Sequence, residues 1–287
     1  MFNSTKKRKR KPIYEVWKRL KRNRLAMVAL FTMLLIIIVA IFAPLIIPYP
    51  YDLQDYEKCL IFPNKQHFFG TDNFGRDIFS RVLYGSRYTL IIGIGCISFA
   101  AIIGTALGAL AAYFKKVDNL IMRTTDVFMG IPNFMLAISI IVAMGSNIKN
   151  MMIALIITST PTFIRVVRAQ VLTIKEQEFI EAARSIGASN LRILVRHILP
   201  NSIAPVIVQY TLGVVSVILY AASLSFIGLG VQAPTPEWGL MISAGRTYLR
   251  DYWYISIFPG LAIIITTYAL NLLGDGLRDA LDPRLKH

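Results

Sequence analysis

Few residues in this chain are arranged for bond chemistry. The three histidines, His67, His197 and His287, are scattered, and no metal or nucleophile constellation can be assembled around them. There is no Gly-x4-Gly-Lys-Ser/Thr loop to cradle a phosphate, nor any Gly-Lys pair. No catalytic or metal site is therefore expected. Two stretches concentrate informative residues instead. The first holds Asp72, Arg76, Asp77, Arg81 and Arg87 among Gly70, Gly75 and Gly85. So many charges exceed the needs of a connector. They suit either a docking surface for a protein or a charge-paired plug closed by tight glycine turns. The second, residues 170–202, mixes small, acidic and basic residues around Glu181, Ala182, Ala183 and Gly187.

The elements that position these stretches are membrane spans. Hydrophobic residues make up 55% of the 287 and charged residues only 16%, too few to cover a soluble surface. A span needs about 20 mostly apolar residues. Leu25 to Ile47, Tyr88 to Phe114 and Val127 to Ile148 each provide this without a charge. Asn150 to Ile164 is shorter, so a fourth span is extended to about Arg168, with Arg165 and Arg168 snorkelling to the interface. Ile203 to Gly230 and Tyr252 to Gly274 are the fifth and sixth. Alternating segments of a barrel are absent, so all six are expected to be helices. The expected class is all-α and polytopic: one flanking N-terminal helix plus a five-helix core.

With the N-terminus inside, 23 of the 31 Lys and Arg fall on the inner side and 8 on the outer. That bias predicts two cytoplasmic termini. The division follows: a basic N-terminus (1–24), the first span (25–47), an external loop (48–87), a core (88–274) with an internal loop at 170–202, and a tail (275–287). The first span lacks a good cleavage site and reads as retained. The Lys6–Lys11 run reads as a topology determinant rather than a nucleic-acid or lipid site. Cys59 and Cys96 read as unpaired thiols.

Within the core, Gly104 and Gly108 have the spacing for close helix approach, in this chain or against a partner. Pro132, Pro161, Pro205 and Pro259 can each kink a helix. Trp238, Tyr248, Tyr252, Trp253 and Tyr254 read as an aromatic belt at the outer interface. Asn133, Ser159, Thr160, Gln209 and Asn271 are polar at membrane depth and either line a passage or bond between helices. No Asp, Glu, Lys, Arg or His lies mid-span, which argues against ion-coupled transport.

The internal loop reads as two short helices. Phe179, Ile180 and Ala183 share a side of the first, and Gly187 stops it. Ser189 can cap a second, which Pro200 ends. Small residues at such a bend let another protein approach the backbone. An interfacial hairpin with no partner is the alternative.

Glu181-Ala182-Ala183, three residues, Gly187, nine residues and then His197-Ile198-Leu199-Pro200 resembles the EAA signature of bacterial ATP-binding-cassette importer permeases. His197 stands where the general pattern has Ile, a departure similar to the peptide-importer branch. Gly70-Thr71-Asp72-Asn73-Phe74-Gly75-Arg76-Asp77 looks like the external-loop hallmark of the second permease in dipeptide, oligopeptide and nickel importers. Ser225–Gly230, Pro236–Gly239 and Gly276–Arg284 are similar to the same family. The resemblance implies a bacterial cytoplasmic-membrane subunit forming half of a pathway for di- or oligopeptides, or else for nickel or another small solute. It implies a homologous permease partner, two ATPase subunits that bind ATP and Mg, and an external substrate-binding protein, with no cofactor in this chain and no nucleic acid. Glu181, Ala182, Ala183, Gly187, His197 and Pro200 would then couple to the ATPase. A membrane assembly subunit that transports nothing is the remaining alternative.

Overall fold

A computed structural model describes residues 12–281, and among them every regular segment is helical. The Lys6–Lys11 run and the end of the C-terminal motif at Arg284 lie outside the described residues. A short amphipathic helix, α1 (Pro12–Leu20), precedes α2 (Arg24–Ile46). Then follow α3 (Ile78–Tyr113), α4 (Lys115–Met129), α5 (Asn133–Met144) and α6 (Ile148–Lys175). The chain continues through α7 (Glu178–Ser185), α8 (Asn190–Ile193), α9 (Leu199–Phe226), α10 (Trp238–Gly245) and α11 (Tyr254–Leu281).

Among the described residues, five helices are long and apolar enough to cross a membrane: α2, α3, α6, the continuous run Asn190–Phe226, and α11. The sixth crossing is not the single helix expected at Val127 to Ile148. In its place stands the pair α4 and α5, bent by 91°, the geometry of a broken span or a re-entrant loop. The bend falls at Gly130-Ile131-Pro132. Proline lacks an N–H and pushes its predecessor out of the helical region, so the helix stops there. With 12 residues, α5 is about 18 Å long and cannot cross alone. Pro161, Pro205 and Pro259 lie inside uninterrupted helices, as does Pro44.

Three boundaries move. Residues 78–87, expected in the external loop, are the first turns of α3, started by the Asp77 side chain accepting from the Ser80 N–H. Residues 275–281, expected in the tail, continue α11. Residues 170–175, expected in the internal loop, complete α6.

The spine of the bundle is α3, which packs on α6, α9 and α2. Glycine makes the closest contact possible. A Cβ at Gly108 would sit 2.6 Å from the Ile164 carbonyl, and one at Gly104 would strike Phe163. The Gly104/Gly108 pair therefore packs inside this chain, against α6. The flanking α2 buries Ala26, Ala29, Met33, Ala40 and Ala43 and exposes Leu25, Val28, Phe31 and Leu35. A helix apolar on both faces, buried on one alone, is what a lipid-facing span requires.

Candidate functional site

At one end of the bundle, α7 and α8 form a hairpin. Ile180 and Ala183 of α7 turn inward with Ile193, Leu194 and Ile198. They pack on Ala109, Ala112 and Tyr113 of α3 and on Val167, Val171 and Ile174 of α6. Phe179, expected on the side of Ile180 and Ala183, is exposed while they are buried. At the turn Gly187 has φ +81°, the Ala188 N–H donates to the Ala183 carbonyl, and the Gly187 N–H to that of Arg184. This is a left-handed helix stop of the kind glycine alone takes without strain. Apart from Gly187 and its two chain neighbours, no heavy atom of the described residues lies within 4 Å of where a Gly187 Cβ would be, so the turn faces open space. Glu181, Ala182 and Ile186 are exposed beside it. Ser189 holds the N-cap position of α8, but its side chain makes no capping bond there. Nor does Pro200 end a helix. It enters the first turn of α9, where its missing N–H costs little, and a π-helical turn at Leu194–Ile198 joins α8 to α9. His197 lies half-buried in that turn.

The hairpin is braced. Tyr113 Oη donates to Asn190 Oδ1 at 2.7 Å, tying the end of α3 to α8. Lys175 Nζ reaches the Ala112 carbonyl and lies 5.1 Å from the centre of the Tyr113 ring. Arg168 makes two bonds to Asp118 of α4, at 2.6 and 2.7 Å, and Arg165 one to Asp126 at 2.8 Å. Both arginines, expected to snorkel, clamp α6 to α4.

At the other end, residues 47–77 fold into a lid with the loop before α10. Asp72 accepts from the Phe74 and Arg76 backbone N–H groups and from Arg76 Nε at 2.7 Å. Asp77 accepts from Ser80 and lies 2.8 Å from His67 Nδ1. Thr71 accepts from the Ile61 N–H and donates to the Lys58 carbonyl. Gly70 and Gly75 take positive φ at the turns. Arg81 donates to the carbonyls of Tyr51 and Pro234, joining the two halves of the lid. Asp72, Arg76, Asp77 and Arg81 are all at most 5% exposed. Glu237 caps α10 by accepting from the Gly239 and Leu240 N–H groups, and burial pushes its carboxyl above the usual value.

Residues 104–287 match the family described as binding-protein-dependent transport system inner membrane components. The chain belongs to that family. Residues 11–63 match the N-terminal transmembrane domain of oligopeptide transport permease C. The dipeptide transport system permease protein DppC of Alkalihalophilus pseudofirmus is 45% identical over 96% of this chain and 91% of that one. The glutathione transport system permease protein GsiD of an Escherichia coli strain is 48% identical over 96% and 92%. A structure of the MetNI methionine ABC transporter superposes with a TM-score of 0.58 at 20% identity, covering 71% of this chain and 98% of that one. That likeness shows a shared fold. This chain is thus a multi-pass permease subunit of a bacterial ATP-binding-cassette importer, a class that works with a partner permease, ATPases and a binding protein.

Among the described residues, no hydrogen bond joins Asn133, Ser159, Thr160, Gln209 and Asn271 of the permease to one another. Thr160 donates to the Ile156 carbonyl and lines a groove of about 420 Å3 with Thr124, Thr125 and Pro161. Ser159, Gln209 and Asn271 are half-buried elsewhere on α6, α9 and α11, and Asn133 starts α5. The aromatic belt also needs correction. Trp253 is exposed, but Trp238 and Tyr254 are buried under the lid, and Trp238 Nε1 donates to the Val82 carbonyl. The sequence singles out none of Asp118, Asp126 and Asn190, and gives Glu237 only within the Pro236–Gly239 motif. The visible signal was the pair of acids on a helix that follows the second span, with two arginines at the end of the fourth.

Proposed function

We propose that this permease forms half of a peptide pathway and receives the ATPase stroke through the α7–α8 hairpin. One observation carries the coupling role: an exposed glycine turn with open space around it, rigidly packed on α3 and α6. Glu181, Ala182 and Gly187 form its outer edge and turn, Ala183 anchors it inward on the bundle, and His197 and Pro200 sit where it passes into α9. The excess of Lys and Arg at this end supports a cytoplasmic hairpin and an external lid. In the lid Asp72 pairs with Arg76 while Asp77 binds His67 and Ser80, all buried, which favours a plug over a charged docking face. A peptide cargo rests on the relatives named for dipeptide and glutathione transport. ATP and Mg belong to the partner ATPases in this reading, and a homologous permease completes the pathway.

The test is ATP-driven uptake into proteoliposomes holding this chain and its partner subunits. Labelled di- and oligopeptides are expected to accumulate and a nickel complex is not. The reverse result moves the cargo to a metal or another small solute. Gly187→Val is expected to abolish uptake while the protein stays in the membrane; normal uptake by that variant would remove the hairpin from the coupling role. Unimpaired uptake without this chain would leave it an assembly subunit.

A further inference from the structure

Between α2 and α3, at the lid end, Ile37 and Ile41 face Leu90, Ile91 and Ile94 across an apolar groove of about 500 Å3. It runs beside α3 for residues 87–94, about 10 Å. Its one charged lining residue is Arg87. Arg76, Arg81, Arg165 and Arg168 each have an acid or a carbonyl to bind. Arg87 is half-buried, 5.3 Å from the centre of the Tyr84 ring, and among the described residues it pairs with no carboxylate.

Depth makes this arrangement specific. Arg87 is the last charge before the uncharged run Tyr88 to Phe114, so it marks the edge of the hydrocarbon. Tyr51 stacks on Tyr84 at 4.3 Å, and Tyr84 lies 6.1 Å from Tyr88. Amphipathic rings of this kind sit at headgroup level. A cation waits at headgroup level while the groove beneath it is at acyl-chain level. A helix of another subunit, about 10 Å across, would fill the groove only by leaving Arg87 unpaired or bringing an acid to it. A phospholipid brings chain and anion together.

We propose that the α2–α3 groove binds an anionic phospholipid, one acyl chain between the helices and the phosphate paired with Arg87. The guanidinium fork matches a phosphate in a two-bond contact. The site would fasten the flanking α2 to the core on the side where protein contacts leave the groove.

The experiment is native mass spectrometry of the permease, assembled with its partner subunits, after incubation with phosphatidylglycerol or phosphatidylcholine. Wild type is expected to retain one phosphatidylglycerol per copy of this chain. Arg87→Gln is expected to lower that retention about tenfold without changing phosphatidylcholine, and Arg87→Lys to keep part of it. Millimolar inorganic phosphate is expected not to displace the lipid, since the chain carries much of the binding. Equal phosphatidylglycerol retention by Arg87→Gln and wild type overturns the proposal, as does displacement by phosphate alone. Phosphatidylglycerol with a photoreactive acyl chain gives a second reading on wild type, independent of how the variant folds. Labels at residues 37–41 and 90–95 support the site; labels confined to other helices or to a partner subunit overturn it.

Discussion

The side chains that set this molecule's behaviour are those that hold a turn or close a pair. Gly187 was legible in the sequence because a glycine after an amphipathic stretch is a helix stop, and φ +81° at that position shows the reason. The pairing of Arg168 with Asp118 was not legible. Hydropathy locates an arginine at the end of a span but is blind to an acid 50 residues away. Both side chains are 28% exposed, and the two bonds are charge-assisted, so the pair contributes on the order of 1.5–3 kcal/mol at most. Asp118→Asn is expected to lower the stability of the detergent-solubilised permease by up to about that amount. Asp126→Asn, at a pair that is at least half exposed, should cost under about 1 kcal/mol. Denaturation midpoints of the two variants check the order; equal losses would mean that α4 is not clamped chiefly through Asp118.

Among the elements, the spans were legible because apolar length has one physical meaning in a bilayer. The bend of the third was not. A hydropathy window registers that residues 127–148 are apolar but carries no information on direction, and Gly130 and Pro132 act only on direction. Residues of the lid misled for a related reason. Trp238 and Tyr254 stand near span ends, where aromatic rings commonly meet headgroups, yet a protein layer covers them. Close packing of α3 on α6 yields a sharp expectation. Gly108→Leu must push α3 from the Ile164 carbonyl, at a cost of about 1–3 kcal/mol or more, and should reduce the membrane level of the protein measured by immunoblot. A wild-type level would mean that the helices separate freely. The lid has a pH signature. A carboxyl whose folded value lies above its ordinary 4.5 binds protons more tightly in the folded lid. Its contribution is therefore full in acid and is lost as pH rises through the raised value. Amide exchange in Trp238–Gly245, corrected for intrinsic rate, should be slower near pH 5 than near pH 8, and Glu237→Gln should flatten the difference.

For the whole molecule, the division into a hairpin end and a lid end follows from charge and hydropathy together. Sidedness is measurable. In a Cys59→Ser background, Ile186→Cys at the exposed hairpin turn should react with an impermeant maleimide only after the cells are permeabilised. Phe68→Cys in the lid should react in intact cells. The opposite pattern would invert the proposed orientation and separate the hairpin from any cytoplasmic ATPase. Partner surfaces were least legible, because a single chain records its own burial and not what covers its open faces.

The 36 residues of α3 make a rod of about 54 Å, well beyond the roughly 30 Å of hydrocarbon. Its first turn is held by Asp77 inside the lid, and its last residue, Tyr113, is bonded to the hairpin. Such a rod is a lever with a handle on each side of the bilayer. Pivoted at one end, a tilt of about 10° carries the other through about 9 Å. If the hairpin takes the proposed coupling role, a shift there and a movement at the lid end would be two readings of one angle, and a cross-link that freezes either end is expected to silence the other.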